Sequence, residues 1–123
     1  MNKGTILIVD DTEIVLIGLQ RVLEKEGYEI IVTTSPKQAL EIIKEKNFDL
    51  VYTDMKMPEM NGDELCKEIK KINPEIEVVV FSGTPEGIAQ HQLEFLKSGG
   101  KDIFLRKPIG KDEIIEATKR LMK

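Results

Sequence analysis

A chain of 123 residues has room for one domain with a single buried core, so we expect one unit over residues 1–123, with any output activity absent or carried by another polypeptide. The formal net charge of −4, with acidic and basic residues interspersed, leaves no broad positive face and argues against direct nucleic-acid binding. No apolar stretch reaches bilayer length, Met1-Asn2-Lys3-Gly4 lacks a signal-peptide core, and the single Cys66 excludes an internal disulfide; together these predict a cytoplasmic protein that does not enter a membrane.

Thr5–Val9 is the first apolar run and reads as a strand that ends in Asp10-Asp11. A helix is predicted from Glu13 to Glu26, with Val15, Leu19 and Val22 on its inner face and Gly27 at its end. Glu29–Thr33 is the second strand. Ser35-Pro36-Lys37-Gln38 then combines an N-cap, a proline at the first helical position and a capping glutamine, opening a helix with Leu40 and Ile43 inward. The third strand, Asp49–Thr53, leads into Asp54, and Asn61-Gly62-Asp63-Glu64 starts the third helix. Cys66 lies on that helix beside Leu65, Ile69 and Ile72 and reads as a packed thiol.

Glu77–Phe81 is the fourth strand and leads into Ser82. A fourth helix follows Pro85 on a pattern of Ile88, Ala89, Leu93 and Leu96 and stops at Gly99-Gly100; His91, the only histidine, lies on it and is read as solvated and without a role. The last strand, Asp102–Leu105, precedes Lys107, and the last helix runs from Lys111 to Met122. Strict alternation of strand and helix implies a parallel sheet covered on both faces. In such a sheet the carboxyl ends of the strands form the ligand crevice, so Asp10, Asp11, Asp54, Ser82 and Lys107 converge there.

Those groups carry a definite chemistry. Adjacent acids repel unless a cation resolves them, and Asp10, Asp11 and Asp54 offer the hard oxygen ligands that suit Mg²⁺, although either of the first two can instead cap the first helix. Asp54 at a strand end is placed to attack phosphorus, and Lys107 is the candidate cation for the charge that develops. The Ser82 hydroxyl is a donor for a phosphoryl oxygen, with Gly83 leaving the space open.

Ile8-Val9-Asp10-Asp11, Asp54 with Met57-Pro58 and Asn61-Gly62, Ser82-Gly83 and Lys107-Pro108 together resemble the receiver domain of bacterial two-component response regulators, over essentially the whole chain. The resemblance implies an α/β, flavodoxin-like, doubly wound five-stranded parallel sheet in the order 2-1-3-4-5 with five helices. It implies that Asp54 is the phosphoacceptor, that Asp10, Asp11, Asp54 and the backbone carbonyl of Lys56 position Mg²⁺, and that Lys107 contacts the phosphoryl group. Ser82 takes the place of the switch hydroxyl, and Phe104 that of the coupled aromatic, often Tyr in the family. Lys56 and Thr84 match positions flanking the path of the hydrolytic water, so both are expected to tune the lifetime of the phosphorylated state. The interval from Ser82 to Lys107 is longer than is usual in the family, the extra residues falling within Pro85 to Gly100.

The expected function is therefore a phosphoprotein of a phosphorelay that catalyses its own Mg²⁺-dependent phosphorylation on Asp54 and its dephosphorylation. The donor is a sensor histidine kinase or a phosphotransfer protein. Signal leaves through the face of helix four, strand five and helix five to a downstream protein or, on phosphorylation, a second copy of the chain. Alternatives are a receiver segment of a longer regulator or hybrid kinase, and an aspartyl-nucleophile phosphatase, which the position of the best nucleophile after the third strand disfavours. A flavin-binding module of the same topology needs a hydroxyl- and glycine-rich cradle where this chain has Asp10-Asp11-Thr12-Glu13.

Overall fold

Branched apolar residues in runs too short for helices alternate with amphipathic segments, and each type forms the element its period allows. The computed structural model describes residues 3–122. In chain order the elements are β1 Thr5–Val9, α1 Glu13–Lys25, β2 Glu29–Thr33, α2 Pro36–Glu45, β3 Leu50–Asp54, α3 Gly62–Ile72, β4 Glu77–Ser82, α4 Pro85–Lys97, β5 Phe104–Arg106 and α5 Lys111–Leu121. The strands are all parallel and lie in the order β2-β1-β3-β4-β5, the flavodoxin-like arrangement.

Alternation along each strand divides the interior into two layers. Leu7, Val9, Val51, Val78 and Val80 pack with Ala39, Ile43, Leu65, Ile69 and Phe95 of α2, α3 and α4. Ile6, Ile8, Leu50, Tyr52, Val79 and Phe81 pack with Leu16, Leu19 and Leu23 of α1 and Ile114 of α5. Every residue of β3 is buried, which is why its sequence is continuous in hydrophobicity except at the end, where Asp54 stands. Inside the second layer Tyr52 is bonded to Thr118 at 2.7 Å, and burial pushes its phenol up to about 12. Cys66 is buried as expected; its thiol donates to the Ser98 carbonyl at 3.7 Å and is pushed up to about 11, chiefly by burial.

Several local expectations are corrected. The inner stripe of α1 is Leu16, Leu19 and Leu23, while Val15 and Val22 are only half-buried, because the helix sits rotated toward its leucines. Ser35 Oγ caps α2 by accepting from the Gln38 amide at 3.2 Å, but Gln38 Oε1 accepts from Thr33 Oγ1 at 2.6 Å rather than reaching back to Ser35. On α4, Ala89 and Leu93 are exposed and, among the described side chains, Phe95 is the one fully buried; the side chain of Ile88 lies outside the described residues. β5 starts two residues later than expected, at Phe104, and α4 with the turn at Gly99-Gly100 occupies most of the interval from Ser82 to Lys107.

Candidate functional site

Parallel register brings the strand ends to one edge: Val9 pairs with Thr53, Asp54 with Phe81, and Ser82 with Arg106. Asp10 is fully buried there. Its Oδ1 accepts from the Thr12 backbone N–H at 2.9 Å, turning the chain into α1, and its Oδ2 lies 2.6 Å from the Lys107 ammonium. The same ammonium donates to Asp54 Oδ2 at 3.1 Å. Lys107 thus bridges two carboxylates from neighbouring strands, held by its own N–H to the Ser82 carbonyl at 2.9 Å and with its ammonium 5.3 Å from the centre of the Phe81 ring. Asp10 does not cap α1, whose N-cap is Thr12 without a side-chain cap; its Oδ1 instead fixes the turn that leads into the helix, and its Oδ2 belongs to the charge cluster.

Electrostatics follow from this packing. Burial, then the neighbouring Asp10 charge, raise the Asp54 carboxyl above the ordinary aspartate range, and Lys107 offsets only part of that. Burial works against the Lys107 ammonium, yet the close Asp10 and Asp54 carboxylates together hold it charged above the ordinary lysine range. Asp11 is exposed beside them.

The donor set fits a divalent cation. Asp10, Asp11 and Asp54 each offer a carboxylate oxygen, and these atoms lie within 4.8 Å of one another. Asp10 Oδ2, although close to Lys107, makes no hydrogen bond of acceptable geometry, so a buried anionic oxygen retains capacity for a ligand. Hard oxygens at this spacing suit Mg²⁺, which keeps some waters and a few carboxylates.

The loop after β3 is folded tightly onto Asp54. Gly62 N donates to Met55 O at 2.6 Å, and a Cβ at residue 62 would lie 2.7 Å from the Asp54 carbonyl, so only glycine allows α3 to begin there. Asn61 N donates to Glu64 Oε1 at 3.4 Å, completing the start that the sequence indicated. Lys56, on this loop, and Thr84, after β4, are both exposed.

Ser82 is buried, and its hydroxyl points into its own turn, donating to the Thr84 carbonyl at 3.1 Å and accepting from the Thr84 N–H at 3.3 Å. Phe104 is half-buried on the α3 and α4 side of the sheet, its ring meeting Phe95 edge to face at 5.8 Å. Asp10, Asp11, Asp54 and Lys107 therefore converge, while the buried Ser82 hydroxyl is engaged by its own turn and Phe104 packs against Phe95.

Two features were missed in the sequence. Beside Lys107 runs an apolar groove of about 510 Å³ lined by Ile14, Gly18, Val22, Pro108, Ile109 and Ile114, with Ile14 77% exposed at its lip. Isoleucines at 14 and 17, off the inner stripe of α1, were the available signal. The other is His91, read as solvated, which instead lies 3.3 Å from the buried carboxylate of Asp63. No helix of the described residues is long and apolar enough to cross a membrane.

The sequence pattern of the response regulator receiver domain matches residues 6–119. The chain is 37% identical over 119 residues to the chemotaxis protein CheY of Thermotoga maritima, covering 96% of this chain and 97% of that one. It is 41% identical over 109 residues to the transcriptional regulatory protein ZraR of Klebsiella oxytoca; that match takes in 89% of this chain but 24% of ZraR, so the chain spans about a quarter of that relative. Among solved structures, a response regulator receiver domain protein from Clostridium thermocellum superposes with a TM-score of 0.85 at 30% identity, covering 97% of this chain and 94% of the other.

Proposed function

Because the chain belongs to the response regulator receiver family of two-component signalling domains, we propose that Asp54 is its phosphoacceptor and that residues 1–123 act as one receiver domain. The observation that carries this reading is the Lys107 ammonium held between Asp10 and Asp54, at 2.6 and 3.1 Å, at the open end of β1 and β3. An Asp54 oxygen attacks the phosphorus of a phosphohistidine. The P–N bond breaks, its electron pair stays with the departing imidazole nitrogen, and a solvent proton neutralises that nitrogen. Lys107 then lies beside the acyl phosphate and meets the charge on its oxygens. Asp10, Asp11, Asp54 and the Lys56 carbonyl would hold Mg²⁺, which supplies the positive charge that lets an anionic phosphoryl group approach three carboxylates. Water attacking the same phosphorus releases inorganic phosphate and restores the carboxylate, with Lys56 and Thr84 flanking its path. In this sense the domain catalyses its own phosphorylation and dephosphorylation.

The donor is a sensor histidine kinase or phosphotransfer protein in the cytoplasm, and the apolar groove beside Lys107 offers it a surface next to the chemistry. Readout runs the other way. When Ser82 Oγ leaves Thr84 for a phosphoryl oxygen it vacates space that the Phe104 ring can fill, and Phe95 passes the change to α4. A downstream protein, or a second copy of the chain, reads the face of α4, β5 and α5. The alternative context is a receiver segment within a longer regulator, as the matched part of ZraR is, with the same chemistry.

Incubation with acetyl phosphate and Mg²⁺, followed by intact mass measurement, tests the assignment. The parent should gain one phosphoryl group only with Mg²⁺, and Asp54→Ala should gain none; equal labelling of that variant overturns the assignment.

A further inference from the structure

Asp63 occupies the first turn of α3, a position that favours a carboxylate through the helix dipole, but it is only 8% exposed. Its Oδ1 has no hydrogen-bond partner among the described residues, and its Oδ2 lies 3.3 Å from Nδ1 of His91. His91 comes from α4, and its side chain, 22% exposed, remains open to proton exchange with solvent. A carboxylate withdrawn this far from water is costly unless a positive group meets it, and a charged donor bonds it about twice as strongly as a neutral one. Among the described residues no other cation stands within ion-pair distance of Asp63.

The remaining charged groups of the packed elements have other partners or stand exposed. On α3, Glu64 accepts from Asn61, Lys67 is exposed, Lys70 donates to the Pro74 and Ile76 carbonyls, and Lys71 pairs with Glu68. Cys66, one turn on, keeps its proton, its thiol being pushed up to about 11. On β4, Glu77 pairs with Lys101, and on α4 Glu86, Glu94 and Lys97 are exposed. Among the described side chains of α4, Phe95 is buried and Leu96 half-buried, so the contacts known beside the His91 pair are apolar.

We propose that His91 and Asp63 form a proton-operated latch holding α4 on α3, tight when the imidazole is charged and loosened when it is neutral. The neutral ring can still donate from Nδ1, so deprotonation weakens the contact without abolishing it. Because α4 follows directly on the Ser82-Gly83-Thr84 turn, proton uptake at the latch and any rearrangement of α4 become reciprocally linked. This inference does not rest on which residue accepts a phosphoryl group.

Amide hydrogen exchange of the full chain tests it, with each rate divided by the intrinsic chemical rate at the same pH. Over a pH series in which NMR follows the His91 ring from charged to neutral, protection of α4 should fall about fivefold while that of α1 stays constant. In His91→Gln and Asp63→Asn the α4 profile should be flat over this range. A flat α4 profile in the parent, or a pH dependence that survives in His91→Gln, overturns the latch. If Asp63→Asn does not fold, His91→Gln, at a partly exposed helix position, decides the matter alone.

Discussion

The two halves of the strand-end crevice are built to different standards. On the β1 and β3 side, β3 is buried along its length and paired on both edges, and α1 is clamped by Leu16, Leu19 and Leu23. Asp10 and Asp54 are tied there to Thr12 and Lys107. On the β4 and β5 side, β5 has only three residues, pairs on one edge and presents Arg106 to solvent. Ser82 is held there by its own turn, and Phe104 is half-buried against a single neighbouring ring on α4. Phosphoryl chemistry needs charges fixed before the reaction, because reorganising them would raise the barrier. A readout needs the opposite, two packings of similar free energy that a small event can exchange.

The largest effect should come from dismantling the rigid half. Asp10→Asn with Asp11→Asn should eliminate Mg²⁺ binding, read as the loss of a calorimetric titration signal. The circular dichroism spectrum should stay unchanged, because an Asn at residue 10 can still accept from the Thr12 N–H and Lys107 keeps Asp54. Parent-like Mg²⁺ affinity in the double variant would place the metal elsewhere and erase the asymmetry between the halves. Next in size is the response to a phosphoryl mimic. With beryllium fluoride, amide NMR shifts should extend beyond Asp54 through Phe104 and residues 88–105 and leave β2 and α2 nearly still. Shifts confined to the Asp54 pocket would mean that the loosely built half is not a readout.

Much of the rigid half was legible in the sequence. Asp10, Asp54 and Lys107 each follow a short apolar run, and strand ends of a parallel sheet must share an edge, so their convergence needed no knowledge of packing. The inner stripe of α1 was misassigned because Val15, Leu16, Leu19, Val22 and Leu23 satisfy two adjacent helical faces, and only the packed sheet chooses between them. On α4 the visible pattern of Ala89 and Leu93 pointed outward, while the anchor proved to be Phe95, whose partner Phe104 is a strand residue that local periodicity cannot see. The bond between His91 and Asp63 joins two helices across 28 positions, and neither residue has a local feature that announces the other. Long-range polar pairs of this kind are decided by tertiary packing alone.

A smaller effect separates the cost of the site from its benefit. Burial and the Asp10 charge raise the Asp54 carboxyl, so without Mg²⁺ the folded state holds that proton more tightly than the unfolded chain does. Stability must then fall as pH rises through the ionisation of Asp54 in the folded protein, and Asp54→Asn lacks that loss. In the presence of a chelator the variant should melt a few degrees above the parent at pH 7, and the gap should close as pH drops below that ionisation. A variant no more stable than the parent at pH 7 would show that Lys107 outweighs burial and that the rigid half carries no stored repulsion.

The smallest expected effect sits at the rim where the two halves meet. Lys56 is exposed two residues past Asp54, on the loop that Gly62 closes against the Asp54 carbonyl, and we assign its long cationic side chain the role of reaching toward the phosphoryl group. An exposed ammonium is mobile and screened, so its hold on a phosphoryl oxygen is worth about 1 kcal/mol or less, roughly a fewfold change in rate. By covering the group it should slow the approach of water, so Lys56→Ala should shorten the half-life of the phosphorylated domain by that factor, followed by mass after removal of the donor. Phosphorylation itself, which we assign to Asp54 with Asp10 and Lys107, should proceed at the parent rate. An unchanged half-life removes Lys56 from the reaction and leaves Thr84, on the loosely built side, as the remaining candidate for timing the signal; a lost phosphorylation rate would mean instead that the rigid half extends to the loop.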